Sequence, residues 1–226
     1  MLVTIPDLLS KDTVTRLREQ MEQSQWVDGK GTAGYVAASQ KKNLQLADHD
    51  PVAISASQQI LEALGRNSRF ISAALPLKIL SPMFNCYASD QEYGFHIDNA
   101  VRVDPHSGER IRADVSSTIF LSDPDEYEGG DLIIQDTYGE QRVKLPAGHI
   151  VVYPSTSLHR VTPVTRGKRI AAILWTQSMV REDARRALLF EMDNTIQQLA
   201  TELGAHDSIV SLTGIYHNLV RQWSQV

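Results

Sequence analysis

Cysteine is almost absent from this sequence: Cys86 is the only one among 226 residues. A single cysteine excludes an intramolecular disulfide, and it excludes a metal cluster built on several thiolates. Disulfides are typical of secreted proteins, so their exclusion favours a reducing compartment. We therefore expect an intracellular protein without a thiolate metal cluster.

Long basic runs and long hydrophobic runs are also missing. With 22 Lys and Arg against 27 Asp and Glu, the formal net charge is -5. Nucleic-acid binding depends on clustered cations, so this balance argues against a nucleic acid as the main partner. No segment is apolar for long enough to span a bilayer, and the start, MLVTIPDLLSKD, lacks the basic region and apolar run of a signal peptide. We expect a cytoplasmic protein that binds neither nucleic acid nor membrane.

The length and the 42% hydrophobic content fit one ordinary domain, or one domain with a small appendage. Two helices are predicted in the first part of the chain. Ser10 is a typical N-cap for a helix over about residues 11–24, and Asp50-Pro51 is a typical start for a second helix that ends near Gly65. Residues 1–76 are therefore expected to form an N-terminal helical segment packed on the core.

Between residues 77 and 178 the pattern changes to short β-rich runs separated by Pro and Gly. Many short strands at close spacing predict a mainly β fold with flanking helices. We favour a double-stranded β-helix, or jelly roll, because its strands bring residues that are distant in sequence into one mouth. Val101–Ala113 is polar and contains proline, which indicates a loop near that mouth. The predicted strands are Leu77–Leu80, Met83–Tyr87, Ser116–Leu121, Asp131–Gln135, Gln141–Leu145, His149–Tyr153 and Arg169–Trp175.

After Met179 the apolar residues recur at helical spacing again. One apolar stripe, from Ala184 to Leu203, ends near Gly204, and a second runs from Ile209 to Trp223. Each is typical of an amphipathic helix whose apolar side must be covered. Residues 179–226 are therefore expected to form a C-terminal helical extension. It covers either the β core or another subunit, and in the second case the protein is a homo-oligomer.

His96 and Asp98 lie two positions apart in the segment CYASDQEYGFHIDN. In an extended strand, residues i and i+2 project to the same face, so this pair can bind one metal ion. A mononuclear iron site of the 2-His-1-carboxylate type needs a second histidine. His159 is the candidate, because the segment LPAGHIVVYP predicts a turn, a buried strand and a proline stop shortly before it. Taken alone, the triplet is weak evidence, since H-x-D also occurs by chance.

Arg169 follows His159 by ten positions. Together with His96 and Asp98, this pair resembles the signature of the Fe(II)/2-oxoglutarate-dependent dioxygenases, and specifically of the PKHD-type (prolyl/lysyl-hydroxylase-domain) hydroxylases. The resemblance extends over nearly the whole chain, including the segment YEGGDL at 127–132 and the C-terminal helices. It implies an Fe(II) ion bound by the two histidines and the aspartate, 2-oxoglutarate and O₂ as co-substrates, and L-ascorbate as a supporting reductant. It also implies C–H hydroxylation coupled to oxidative decarboxylation of 2-oxoglutarate, with a link to iron homeostasis.

The resemblance assigns roles within the co-substrate site as well. A guanidinium grips a carboxylate with two hydrogen bonds, so Arg169 is expected to bind the distal carboxylate of 2-oxoglutarate. Tyr87 is expected to donate a phenolic hydrogen bond to the same carboxylate, although an ordinary core position explains it equally well. The prime substrate stays open between a protein residue, a peptide, a siderophore-like molecule and another metabolite. Specificity resides in loops such as Val101–Ala113.

Two other functions are compatible with the same residues. One is a cupin-type metalloenzyme that uses the metal triad without a co-substrate, and in it Arg169 has no role. The other is a non-enzymatic sensor, in which iron or 2-oxoglutarate binding reports metabolic state through the C-terminal helices. Sustained O₂ consumption separates an enzyme from a sensor.

Overall fold

The computed structural model describes residues 1–32, 39–105, 107–137 and 139–226. The helices are α1 (Lys11–Glu22), α2 (Pro51–Arg66), α3 (Ser68–Ala74), α4 (Asp183–Leu203) and α5 (Asp207–Trp223). The strands are β1 (Val3–Ile5), β2 (Trp26–Asp28), β3 (Lys41–Lys42), β4 (Leu44–Leu46), β5 (Pro76–Ile79), β6 (Met83–Ala88), β7 (Glu92–His96), β8 (Val101–Val103), β9 (Arg110–Arg112), β10 (Val115–Phe120), β11 (Tyr127–Gly129), β12 (Leu132–Asp136), β13 (Gly139–Val143), β14 (Ile150–Pro154), β15 (His159–Val161) and β16 (Val164–Ser178).

Two antiparallel sheets form the core of the molecule. The larger sheet has the strand order β1-β14-β10-β16-β6-β4-β2, with β5 and β11 also paired to β16, and the smaller sheet has the order β13-β12-β15-β7-β3. Tyr87 of the larger sheet is buried in one cluster with Leu132 and Val161 of the smaller sheet, so the two sheets pack against each other over a shared interior. The predicted mainly β jelly-roll core with flanking helices is confirmed.

Helices α1, α2 and α3 pack on the other face of the larger sheet. Leu17, Ile60 and Phe70, one from each helix, are buried in one hydrophobic cluster with Phe84 and Ile119 of the sheet. Because successive strand residues project to opposite faces, Phe84 and Ile119 point to the helices while their neighbours line the interior between the sheets. This layer makes the larger sheet a rigid support for the side chains on its inner face.

Both predicted helix starts are confirmed. The Ser10 hydroxyl accepts a hydrogen bond from the backbone N–H of Thr13 at 3.2 Å. The Asp50 carboxylate accepts one from the N–H of Val52 at 2.7 Å, with Pro51 at the first helical position. These side chains satisfy N–H groups that have no partner within their own helix.

The first 76 residues also contribute strands, which the sequence does not predict. β1 pairs with β14 through Val3 and Val152, and β4 pairs with β6 through Leu44 and Cys86. β1 and β4 have 3 residues each, which is too short for an alternating pattern to stand out. The N-terminal segment is therefore part of the larger sheet as well as a set of helices packed on it. The division of the chain after residues 76 and 178 stays a prediction.

Val101–Ala113, predicted to be a loop, contains a hairpin. β8 and β9 are antiparallel, with Val101 opposite Arg112 and Val103 opposite Arg110. The prediction was wrong for these two strands, because β8 reverses the usual alternation. Its two valines are exposed and Arg102 between them is half-buried, whereas a strand is recognised by apolar residues on its buried face. His106, within this range, lies outside the described residues.

The C-terminal extension consists of α4 and α5, as predicted. Leu189 of α4 is buried together with Leu75 and Val180, and Trp223 of α5 packs against this cluster. Val210 of α5 is exposed. In the described residues, every helix is too short or too polar to pass through a lipid bilayer. A homo-oligomer formed through these helices stays a prediction, and light scattering of the full chain tests it.

Arg186 joins the start of α4 to the larger sheet. Its side chain is almost completely buried. Nη1 donates to the carbonyl oxygens of Val180 at 2.8 Å and Arg181 at 2.6 Å. Nη2 donates to the carbonyl oxygen of Asp114, just before β10, at 3.4 Å and to the Asp183 carboxylate at 3.3 Å. One guanidinium therefore satisfies acceptors from two parts of the chain, residues 180–183 and Asp114.

We expect Arg186→Met to lower the free energy of unfolding by about 3 kcal/mol, because the buried acceptors lose their donor. Urea denaturation followed by circular dichroism measures the change. Arg185→Met is the matched control, since the neighbouring Arg185 has 40% of its side chain exposed and pairs with Glu182. We expect the control to change stability by less than about 0.5 kcal/mol. Equal losses in both variants would contradict the assignment.

Candidate active site

His96, Asp98 and His159 converge at one point between the two sheets. His96 ends β7, His159 begins β15, and the two residues lie opposite each other in the sheet. The Asp98 Oδ2 and His159 Nε2 atoms are 3.8 Å apart, and one ligand atom from each of the three residues lies within 4.8 Å of the others. The structure therefore brings together the three residues that the sequence analysis selected.

The backbone orients both imidazoles. Nδ1 of His96 is 2.8 Å from the carbonyl oxygen of Gly94, and Nδ1 of His159 is 3.0 Å from that of Ser157. A neutral imidazole with its proton on Nδ1 donates to such a carbonyl and keeps the Nε2 lone pair for a metal. Burial, followed by the neighbouring charge of His159, lowers the pKa of His96 to about 4. The ring is therefore neutral near pH 7, as a metal ligand must be.

Tyr93 stacks on the His96 ring, with ring centroids 3.6 Å apart. The two residues are separated by three positions on β7, and nothing in the sequence marks this tyrosine as part of the site. The stacked ring restricts rotation of His96 about its side-chain bonds. The imidazole is thus fixed both at Nδ1 and on one face.

Two buried serines orient the Asp98 carboxylate. The Ser116 hydroxyl donates to Asp98 Oδ2 at 2.6 Å, and the hydroxyl oxygens of Ser116 and Ser155 are 2.8 Å apart. Because Ser116 uses its own proton toward Asp98, it accepts from Ser155. The sequence analysis missed both serines, since 18 and 57 residues separate them from Asp98 and only the fold makes them neighbours.

We expect Ser116→Ala to weaken Fe(II) binding by about 10- to 100-fold, the usual cost of losing a partner that orients a metal ligand. Anaerobic titration calorimetry with Fe(II) measures it. Ser72→Ala is the matched control: the Ser72 hydroxyl also donates to a carboxylate at 2.6 Å, that of Asp193, but it does so among the helices. A Ser116→Ala variant that binds Fe(II) as tightly as this control would contradict the role.

Arg169 lines the same cavity as the three residues above. Its side chain is only 1% exposed, and in the described residues neither Nε nor Nη1 has a hydrogen-bond partner. The guanidinium carbon is 5.5 Å from the ring centroid of Tyr87 and 5.3 Å from that of Phe120. A buried cation with unsatisfied donors is costly, so an anionic ligand at this position stabilises the protein.

A glycine leaves room for Arg169. Gly130 has a φ of +65°, and a Cβ atom at this position would lie 3.1 Å from Cδ of Arg169 and 2.9 Å from the ring of Tyr127. Any larger residue would push the arginine aside, and the positive φ would also strain it. The segment YEGGDL thus contributes to the site because Gly130 has no side chain and leaves space for Arg169.

Tyr87 lies opposite Arg169 on the neighbouring strand β6 and also lines the cavity. Burial raises its pKa to about 12 despite the opposing effect of Arg169. The phenol is therefore protonated at every physiological pH and is available as a hydrogen-bond donor. Cys86, the adjacent residue, points to the other face of the sheet, where it is buried in the cluster shared with the helices.

The sequence matches two protein-family models and is similar to known proteins over its whole length. Residues 82–177 match the family model described as 2OG-Fe(II) oxygenase superfamily, and residues 183–225 match the PKHD-type hydroxylase C-terminal domain. A PKHD-type hydroxylase of Pseudomonas putida strain W619 is 57% identical over 226 residues, covering 100% of both chains. The chain belongs to the PKHD-type hydroxylase family. The PKHD-type hydroxylase PiuC of Pseudomonas aeruginosa is 55% identical over 227 residues, again with 100% of both chains covered.

Solved structures share the fold of this PKHD-type hydroxylase at low sequence identity. A prolyl-4-hydroxylase of Pseudomonas putida has a TM-score of 0.52 and 19% identity, covering 78% of this chain and 92% of that one. A prolyl hydroxylase of Trichoplax adhaerens, in complex with a hypoxia inducible factor peptide, has a TM-score of 0.55 and 15% identity, covering 83% and 86%. HygX of Streptomyces hygroscopicus, with nickel and 2-oxoglutarate bound, has a TM-score of 0.53 and 16% identity, covering 80% and 84%. These similarities support the jelly-roll assignment.

Family membership confirms that the protein is an enzyme, a 2-oxoglutarate-dependent dioxygenase that uses Fe(II). It therefore favours this function over a metalloenzyme without a co-substrate and over a sensor. The donor set fits the family cofactor, because two imidazoles and one carboxylate are the ligands of a non-haem Fe(II) facial triad.

Proposed function

We propose that His96, Asp98 and His159 bind Fe(II), and that Arg169 binds the distal carboxylate of 2-oxoglutarate within the same cavity. One observation carries this assignment: three converging ligand atoms and a buried guanidinium with unpaired donors line one cavity. The three ligand atoms suit a metal ion, and the guanidinium suits one carboxylate of a dicarboxylate co-substrate. The overall reaction converts 2-oxoglutarate, O₂ and a substrate C–H into succinate, CO₂ and a C–OH group.

His96, Asp98 and His159 would hold the Fe(II) ion, which would supply the oxygen activation that the residues lack. The chain provides orientation. Arg169 and the Tyr87 hydroxyl fix one end of 2-oxoglutarate, so its keto acid end lies toward the histidines. Apolar side chains of Leu132 and Val161 line the space between the sheets, where they limit access of water to the reacting groups.

Turnover without a prime substrate tests this proposal. Protein loaded with Fe(II) under anaerobic conditions should convert 2-oxoglutarate to succinate slowly once O₂ is added, with O₂ uptake in an oxygen electrode and succinate by chromatography. A protein that binds 2-oxoglutarate without sustained O₂ uptake would be a sensor. No binding of 2-oxoglutarate by calorimetry would overturn the assignment of the cavity.

The prime substrate and the cellular role go beyond the reaction class, and we state them as separate proposals. A protein residue, a peptide, a siderophore-like molecule and another metabolite all remain candidates, and a link to iron homeostasis rests on the sequence resemblance. L-ascorbate as a supporting reductant is tested by comparing the decline of succinate formation with and without it. A metabolite or peptide retained in the cavity of an anaerobic crystal, in contact with the β8–β9 hairpin, would identify the substrate directly.

A further inference from the structure

The cavity contains two cations that the binding of 2-oxoglutarate by Arg169 does not use. Lys41, on β3, is 3% exposed, and Arg102, on β8, is half-buried. Both line the same space as His96 and Asp98. In the described part of the chain, Asp98 is the only carboxylate among the lining residues, and it faces the metal position. The cavity is therefore strongly positive for its size.

An aromatic ring lies beside each of the two cations. The guanidinium carbon of Arg102 is 3.8 Å from the ring centroid of Trp175, and its Nη2 is 3.6 Å from the Met83 sulfur. Lys41 Nζ is 5.4 Å from the ring centroid of Tyr93, the residue stacked on His96. Contact with the Trp175 face orients the Arg102 guanidinium and leaves its charge and most of its N–H donors available.

The two cations are close enough to repel each other. Burial first, and then the charge of Arg102, lower the pKa of Lys41 to about 8. Arg102 contacts the Trp175 ring and the Met83 sulfur. Asp98 and Asp48 are near enough to act on its charge, but among the described residues neither forms an ion pair with it. Like charges in a poorly hydrated space destabilise the protein. A ligand with a negative charge between them would remove this cost, and a neutral one would not.

The co-substrate and the metal do not supply that charge. In the proposed function, the two charges of Fe(II) and the charge of Arg169 are offset by Asp98 and by the two carboxylates of 2-oxoglutarate. The positive charge of Arg102, on the side of the cavity formed by the hairpin strand β8, is then opposed only by Asp48, which acts on it without forming an ion pair among the described residues. That side is open to a second molecule, because Ile97 and Val101 next to it are each 56% exposed.

We propose that the prime substrate carries a carboxylate that Arg102 binds beside the metal position, with Lys41 adding positive charge on the same side. This inference rests on the proposed function of the cavity. The carboxylate would form two hydrogen bonds with the guanidinium, and the exposed Ile97 and Val101 would contact the apolar part of the substrate. The C–H group to be hydroxylated then lies close to a carboxylate in the substrate.

Matched acids and amides test the proposal without knowledge of the natural substrate. Protein loaded anaerobically with Fe(II) and 2-oxoglutarate is titrated with pairs of linear, cyclic and aromatic monocarboxylic acids and their primary amides. A second arm uses pairs of short capped peptides that differ only by Glu against Gln. Binding is followed by the change in the visible charge-transfer band of the iron complex. We expect at least one acid to bind about 10-fold more tightly than its amide.

Three variants complete the test. Arg102→Gln should abolish the preference for the acid, Arg102→Lys should restore part of it, and Arg110→Gln, an exposed arginine on the neighbouring strand β9, should leave it unchanged. No preference for any acid, or a preference that survives Arg102→Gln, would overturn the inference. If Arg102→Gln instead weakens 2-oxoglutarate binding, Arg102 belongs to the co-substrate site and the inference is also wrong.

The two proposals fail in different ways. If the charge-transfer band does not form when Fe(II) and 2-oxoglutarate are mixed with the protein, the proposed function fails. If the band forms and acids bind no better than amides, only the inference about the prime substrate fails. The peptide arm separates an acidic side chain in a polypeptide from a free organic acid as the source of the carboxylate.

Discussion

Arg169→Met is expected to weaken 2-oxoglutarate binding by at least about 100-fold, because truncating one member of a buried, hydrogen-bonded charge pair costs about 2–5 kcal/mol. Fe(II) binding should persist, since Arg169 is not a metal ligand. Anaerobic calorimetry with 2-oxoglutarate and with Fe(II) measures both affinities. Arg169→Lys should fall between, because an ammonium keeps the charge and loses the bidentate geometry.

The matched control is Arg166→Met. Arg166 lies three residues earlier on the same strand, and its side chain is 62% exposed and paired with Glu128. It should bind 2-oxoglutarate like the unmodified protein. Equal affinities for all the variants would remove Arg169 from the co-substrate site.

Stability separates binding from a purely structural role for Arg169. Its Nε and Nη1 atoms have no partner in the described residues, so removal of the charge should leave the ligand-free protein equally stable or more stable. A structural ion pair would give the opposite result. Urea denaturation of Arg169→Met in the absence of 2-oxoglutarate decides between the two, and a large loss of stability would count against the proposed site.

Asp98→Ala is expected to abolish 2-oxoglutarate turnover and to weaken Fe(II) binding by more than about 100-fold, the upper range for loss of an outer partner alone. The carboxylate is the one anionic donor of the triad, so its removal takes away both a ligand and the charge that offsets the metal. Anaerobic Fe(II) titration and succinate formation measure the two effects. The variant loses one side-chain hydrogen bond, from Ser116, and should remain folded by circular dichroism.

Asp125→Ala is the control for this substitution. Asp125 is an exposed carboxylate in the segment between β10 and β11, and it should affect neither measurement. Fe(II) affinity that is unchanged in Asp98→Ala would show that the two histidines bind the metal with some other donor, and the proposed triad would be wrong.

Several parts of the fold were predictable because they depend on local rules. The side chains of Ser10 and Asp50 mark helix starts because each accepts a hydrogen bond from a backbone N–H of the first helical turn. The donor lies at most three residues further along the chain, so the pattern is visible in the sequence. Most strands of the core appear as apolar runs between Pro and Gly. β8 was missed because its apolar residues are exposed and its arginine is turned inward. The inward orientation of Arg102 is explained by the cavity that its side chain lines, which only the structure shows.

The candidate site divides in the same way. His96 and Asp98 are recognisable together because two-residue spacing in a strand is itself a spatial relation. His159 was selected from the turn and strand pattern that precedes it, and Arg169 through the resemblance. The structure places both beside the pair. Ser116 and Tyr93 carry no signal of their own, since serine and tyrosine in strands are common and their contacts depend on register.

By itself, the sequence determined the fold class, the helix starts, the donor types of the proposed metal site and the family to which the chain belongs. These depend on periodicity, capping and residue identity at short spacing, which are properties of the chain before it folds. Only the tertiary structure decided which serines orient Asp98, that the Arg169 guanidinium is buried with unpaired donors, and that Lys41 and Arg102 share its cavity. The physical reason is that burial and charge proximity arise from the packing of two sheets, which joins residues that no local pattern relates.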